Sequence, residues 1–168
     1  MISHSQALTI LGDSGCSKKV IAHCIAVSSL ATRIGKELLS RGEKPDLELI
    51  GIGGLLHDLG RAKTHGMMHA VEGARMAEEM NLDPQLVQII KKHIGAGITP
   101  DEAMELGLPE DDYMPDTLEE KIVAHADNLT KGTRKITIEE RLSMMGEKNI
   151  NSNSIVRVRR LAAEIGIV

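Results

Sequence analysis

Residues 47–60 read LELIGIGGLLHDLG, an apolar segment introduced by Pro45 and Asp46 and closing on a histidine and a carboxylate. Its near-continuous apolar run, Leu49 to Leu56, suits a buried helix and falls well short of the roughly 20 residues that cross a membrane. Asp46 reads as an N-cap and Gly60 as a left-handed stop, so a helix is expected from Leu47 to Leu59. His57 and Asp58 then share its last turn, which presents an imidazole and two carboxylate oxygens from one place on the backbone. Gly53 and Gly54 lack the spacing and the preceding strand of a phosphate-binding loop, and read instead as points of close helix packing.

The chain on either side of this segment is helical by the same reading. From Ser17 to about Arg41, Val20, Cys24, Val27, Ala31, Ile34 and Leu38 recur in steps of four and three, which lines one face of a long amphipathic helix. Downstream, His69 to Met80 carries Val71, Ala74, Ala77 and Met80, and Asp83-Pro84 opens a helix through Leu86, Val87, Ile89, Ile90 and His93 that Gly95 and Gly97 end. Thr99 with Glu102, Asp116 with Glu119, and Thr137 with Glu140 have capping-box spacing and predict three more helices. The second of these carries Leu118, Ile122, His125 and Leu129 as its stripe, with Asp127 on the flank. A basic helix with Arg157, Arg159 and Arg160 closes the chain. Strand-like alternation is absent, so the fold class is all-α.

Composition narrows the function. The 168 residues are 42% hydrophobic and 26% charged, which fits one globular domain. Twenty Lys and Arg against 24 Asp and Glu give a net charge of -4, and there is one Tyr with no Trp or Phe. Neither an electrostatic footprint nor stacking platforms for nucleic acid are therefore expected. Cys16 and Cys24 imply no disulfide framework, and the N-terminus lacks the basic start and apolar run of a secretory signal. The expected location is cytoplasmic, with no membrane association. Glu110, Asp111, Asp112 and Asp116 read as solvated surface, as do the three closing arginines. Nine methionines fill a core that has no Phe or Trp, and Met80, Met104, Met144 and Met145 are candidates for an adaptable surface.

Six of the seven histidines fall between positions 23 and 125. His23 borders the stripe of the first long helix, His93 lies four residues after Ile89, and Asp127 four after Val123 on an otherwise apolar helix. A buried imidazole needs partners for both ring nitrogens, and an unpaired buried carboxylate is costly. One shared divalent cation would satisfy these groups together.

His23, the run Leu55-Leu56-His57-Asp58-Leu59-Gly60, and Ala126-Asp127 together resemble the signature of the HD-domain superfamily of metal-dependent phosphohydrolases. His69-Ala70-Val71-Glu72-Gly73-Ala74 and Lys92-His93 resemble the two extra histidines of its dinuclear branch, as in the bacterial HD enzymes that cleave diadenosine tetraphosphate. The resemblance implies a single helical HD bundle over residues 17–135 with the metal site between its core helices. Residues 1–16 would form a helical extension, and residues 136–168 C-terminal helices packed on the same domain.

It also implies metal ligation by His23, His57, Asp58, His69, His93 and Asp127, with Asp58 as the bridge between two ions. Such mixed imidazole and carboxylate ligation favours Fe, Mn, Co, Ni or Zn over Mg. Two ions about 3.5 to 4 Å apart would hold a hydroxide for in-line attack on phosphorus. The expected reaction is hydrolysis of a phosphate ester or anhydride of a nucleotide or related small phosphorylated metabolite. Arg61 stands where the superfamily often has Lys. With Lys63, Lys131 and Arg134 it is a candidate phosphate clamp, and His65 is a candidate proton donor to the leaving group. His125 reads as a core histidine, or as a hydrogen-bond partner of Asp127. Two alternatives share the ligand set: a dinuclear-iron oxygenase acting on a small organic substrate, and a nucleotide-binding module without turnover. The sequence does not set the oligomeric state.

Overall fold

A computed structural model describes residues 1–167. Its helices are α1 (His4–Asp13), α2 (Lys18–Ser40), α3 (Leu47–Leu56), α4 (His69–Glu79), α5 (Pro84–Lys92), α6 (Pro100–Glu105), α7 (Leu118–Asn128), α8 (Ile138–Glu147) and α9 (Ser152–Ile165). The caps explain most of these boundaries. Ser17, Asp46 and Asp83 each accept a backbone N–H at the start of α2, α3 and α5, and Thr99 and Thr137 complete reciprocal capping boxes with Glu102 and Glu140. At α7 the box is shifted by one residue from the predicted pair: the Thr117 hydroxyl accepts from the Glu120 amide at 3.2 Å. Glu120 returns to the amides of both Asp116 and Thr117, so Asp116 is held from outside the helix.

The apolar stripe of α2 buries Cys24, Val27, Ala31, Ile34 and Leu38 against α3 and α7, each large side chain contributing about 1.5–3 kcal/mol relative to exposure. The α2–α3 crossing is close because α3 is rich in glycine. A Cβ on Gly54 would lie 2.7 Å from Ser28 Cα, and the Ser28 hydroxyl donates to Gly51 O at 2.6 Å. The packing role read for Gly53 and Gly54 holds, since a Cβ on Gly53 would meet Ile89 of α5 at 2.8 Å. The segment α1 lies on α3 and buries Ala7 and Leu11 in the same core.

Three expectations need correction. First, α3 stops at Leu56, and Gly60 is not a left-handed cap but part of a 3-10 turn, Leu59–Ala62. Its lack of a side chain matters for approach instead of φ, because a Cβ there would stand 1.8 Å from His69 O. Second, the chain is not wholly helical. Thr130–Lys131 and Arg134–Lys135 form a two-stranded antiparallel hairpin, β1–β2, turned at Gly132 with φ +62. Strands of two residues are too short to show alternation. Third, Arg157 is not on a solvated face: its guanidinium pairs with Glu102 at 2.5 Å and donates to Gly97 O at 3.1 Å, tying α9 to α6.

Among the described residues no helix is long and apolar enough to cross a membrane. The fold class is all-α, with helices bringing α2, α3, α4, α5 and α7 around one point.

Candidate metal centre

Five elements each deliver side chains to that point. His23 comes from the second turn of α2, and His57 and Asp58 follow the end of α3. His69 opens α4, His93 caps α5, and Asp127 lies in the last turn of α7. The six residues quoted as candidate ligands thus meet although they span 105 positions of the chain, from 23 to 127.

The geometry divides around Asp58. Its Oδ1 lies 3.2 Å from His69 Nε2 and 3.5 Å from His93 Nε2. Its Oδ2 lies 3.6 Å from His57 Nε2 and 3.9 Å from His23 Nε2. Asp127 Oδ1 completes the second group, 3.0 Å from His23 Nε2 and 3.7 Å from His57 Nε2. Each Asp58 oxygen therefore faces its own pair of imidazoles.

All four rings are oriented in the same manner. Each Nδ1 stands 2.7 or 2.8 Å from a backbone carbonyl: His23 from Gly132, His57 from Gly54, His69 from Gly66 and His93 from Ile90. A carbonyl oxygen only accepts, so each Nδ1 carries the proton, and in the neutral ring each Nε2 is left as a lone pair. For His57, His69 and His93 the carbonyl belongs to the residue three positions earlier; for His23 it belongs to the β1–β2 turn.

The four Nε2 lone pairs converge on one another and on carboxylates. His69 Nε2 and His93 Nε2 are 3.1 Å apart, and His57 Nε2 is fully buried with no hydrogen-bond partner among the described residues. Acceptors this crowded need positive charge between them, either protons or a cation. Burial lowers the His57 pKa to about 4, so that ring stays neutral near pH 7. Burial also opposes charge on His23 and His93, but the carboxylates of Asp127 and Asp58 outweigh it and raise both. Asp58 is held well below the usual carboxylate range: burial pushes it up, and the surrounding imidazoles more than reverse that. Asp127 is lowered to about 2, because the hydrogen bond with His23 and the charge of the neighbouring rings outweigh burial. The arrangement contains three overlapping His/Asp groups able to hold a metal ion.

A cleft of about 790 Å³ opens from these residues, within the range of about 300–1,000 Å³ for small-molecule sites. Arg61 and Lys131 line it beside the ligand atoms. Arg61 Nε donates to Asp58 Oδ1 at 3.1 Å and its Nη1 to His65 O at 2.8 Å, so the guanidinium is fixed with one edge on the candidate bridge. Lys63 and His65 are exposed on the connection and do not line the cleft. Arg134 points away as well, paired with Glu140 at 3.4 Å and largely exposed. His125 does not reach Asp127: its Nε2 donates to Ile167 O at 2.7 Å, which makes it a core histidine that fastens the segment after α9 to α7.

Arg141 is a contributor that sequence reasoning missed. It lines the cleft and donates to the carbonyls of Asn128, Asp127 and Thr130, gripping the end of α7 just where Asp127 projects. On an amphipathic helix it looks like any solvated arginine, and only its carbonyl partners mark it out.

A family model described as HD domain matches residues 20–132. The chain is 48% identical over 162 residues to an uncharacterised protein of Methanocaldococcus jannaschii, covering 95% of both chains. It is also 38% identical over 163 residues to a tRNA (cytidine(56)-2'-O)-methyltransferase of Picrophilus torridus and 43% identical over 133 residues to the protein of that name from Thermoplasma volcanium. It spans 46% and 38% of the length of those two relatives, while 97% and 79% of its own length is matched. In structure it is similar to the HD domain of the L. monocytogenes phosphodiesterase PgpH, with a TM-score of 0.58 at 14% identity over 95% of this chain and 97% of that one. The same domain in complex with cyclic-di-AMP gives a TM-score of 0.60 at 15% identity, covering 96% of each chain.

Proposed function

Because the chain belongs to the HD domain family, we propose that it is a metal-dependent phosphohydrolase that cleaves a phosphate ester or anhydride of a nucleotide or related small phosphorylated metabolite. The observation that carries this reading is the split of Asp58, each of whose oxygens faces a separate pair of Nε2 lone pairs. That is the donor set of a site for two divalent ions. His69, His93 and Asp58 Oδ1 would hold one, and His23, His57, Asp127 and Asp58 Oδ2 the other. The catalytic unit is residues 17–135, extended by 1–16 and covered by the helices of 136–168.

When bound, such ions supply Lewis acidity that makes water nucleophilic near neutral pH and offsets charge growing on the phosphoryl oxygens. The protein's own part is placement. The backbone carbonyls on Nδ1 hold the four rings in the tautomer that leaves Nε2 free. Arg61, anchored through Nε and one terminal nitrogen, presents its remaining donors to the cleft, and Lys131 adds a second positive charge on the same rim. These two are the phosphate-orienting groups. Two formal negative charges from Asp58 and Asp127 against four from two divalent ions leave the centre attractive to an anion. The phosphodiesterase name and bound cyclic dinucleotide of the structural neighbour support a phosphorylated nucleotide as the class of substrate.

The test is metal content of the purified protein by mass spectrometry, joined to phosphate release from a panel of nucleotides and dinucleoside polyphosphates. About two ions per chain with release is expected. Asp58→Ala should lose both the ions and the turnover; a variant that keeps its full metal complement refutes the assignment.

A further inference from the structure

The carbonyls in the last turn of a helix run out of intrahelical donors. At α7, where Asp127 lies in that turn, each still finds one. His125 O accepts from the Leu129 amide at 3.1 Å, and Ala126 O from the Thr130 hydroxyl at 2.8 Å. Asp127 O and Asn128 O both accept from a single side chain, Arg141 of α8, through Nη2 at 3.3 Å and Nε at 2.6 Å. The same Nη2 donates to Thr130 O, in β1, at 2.9 Å. A cation suits this place twice over, because its charge opposes the negative end of the helix dipole while its donors fill the carbonyls. Three oxygens are met together because the guanidinium donors form a rigid planar fork.

Two candidate ligands depend on what this fork holds. Asp127 projects from the gripped turn, with Oδ1 3.0 Å from His23 Nε2. His23 is set from behind by Gly132 O, 2.7 Å from its Nδ1, and Gly132 turns the hairpin that begins at the buried Thr130. Fixing the end of α7 against β1 therefore places both side chains. The other half of the centre has its own supports. His69 and His93 are set by the carbonyls of Gly66 and Ile90, while the side-chain hydrogen bonds of Arg141 among the described residues all go to positions 127, 128 and 130.

We propose that Arg141 is a positioning residue for one half of the centre: by joining the end of α7 to the first strand of the hairpin, it sets Asp127 and His23 for the ion that they share with His57 and Asp58 Oδ2. This rests on the two-ion reading. Arg141 lies beyond residue 132, where the HD match ends, so α8 supplies, from outside the matched segment, a part that one of the two ion sites needs. The two sites then differ in kind. Loosening α8 empties the His23 and Asp127 site and spares the site of His69 and His93.

The experiment uses the full chain, stripped with chelator and titrated with manganese by calorimetry. The parent should take up about two ions. Arg141→Met keeps an apolar stem and loses every donor; it should bind one ion as the parent does and the second about tenfold or more weakly. Nitrogen-15 histidine spectra of the metal-free protein give a readout that needs no ion: the ring signals of His23 should move, and those of His69 and His93 should stay. Arg141→Lys keeps the charge but not the fork, and carries the test where the methionine variant fails to fold; its second ion should also bind more weakly than the parent's. Equal weakening of both ions, weakening of neither, full parental uptake by Arg141→Lys, or an unmoved His23 ring overturns the proposal. A parent that takes up fewer than two ions sinks the two-ion reading instead, and the ring signals alone then decide whether Arg141 places His23.

Discussion

His69 Nε2 and His93 Nε2 face each other across 3.1 Å while the opposite nitrogen of each ring donates to a backbone carbonyl. Two lone pairs at that distance repel unless a proton or a cation stands between them. The pair belongs to one Asp58 oxygen alone, and His23 and His57 belong to the other. His93→Ala should therefore cost the ion on its own side and spare the other, giving about one ion per chain by mass spectrometry. His23→Ala should give the mirror result. Loss of all metal from either variant would show that the two halves are not separable.

Arg61 holds Asp58 through Nε and spans to the His65 carbonyl. Removing it takes a charge-assisted donor from the cleft and leaves all six candidate ligands. Arg61→Ala should raise KM by about tenfold or more, with metal content unchanged, while Arg134→Ala, whose partner is Glu140, should leave KM where it was. Equal effects from the two variants would remove Arg61 from the phosphate site.

Gly60 is the tightest backbone contact at the centre. Gly60→Ala would drive a methyl group into His69 O and toward the Gly73 amide, neither of which is a flexible side chain. A loss of more than about 3 kcal/mol is expected, seen as a fall of roughly 6–12 °C in Tm. A variant as stable as the parent would mean that the 3-10 turn moves freely away from α4.

Burial lowers the pKa of His125, more than its bond to Ile167 O raises it. In the unfolded chain the ring titrates near 6.5, so below that pH the unfolded state binds the additional proton. The contribution is thus complete above about pH 6.5 and drains away as pH falls from there. Denaturant unfolding of chelator-treated protein between pH 7 and 5 should show a steeper loss for the parent than for His125→Gln. Parallel curves would contradict the burial argument.

Much of this was legible beforehand, and the reasons are physical. Among the candidate ligands, His57-Asp58 at a helix end and His23, His93 and Asp127 at the borders of apolar faces could be picked out, because a polar side chain there is out of place unless something holds it; His69 is marked only by the resemblance to HD-family sequences. Helix starts were readable from Thr and Asp caps because capping is a local contact. What escaped was long-range or carried by backbone. The Gly132 carbonyl that orients His23 has no side-chain signature, and a turn joining two-residue strands leaves no periodicity. Arg157 and Arg141 look like surface charges until their partners, Glu102 and the carbonyls at the end of α7, are brought to them by the fold. Gly60 was misread for a related reason: whether a glycine serves φ or approach depends on what lies across from it.

The carbonyls behind the four rings differ in one respect that bears on how the site comes into being. His57, His69 and His93 each lean on the residue three positions back, so their orientation is complete as soon as a single turn of local backbone forms. His23 waits for a residue 109 positions further along the chain. The Nδ1 contacts of His57, His69 and His93 thus need only nearby backbone, whereas that of His23 needs the β1–β2 hairpin made and docked. Metal uptake during refolding should accordingly come in two phases, the earlier at His69 and His93, and the hairpin acts as the latch that finishes the job.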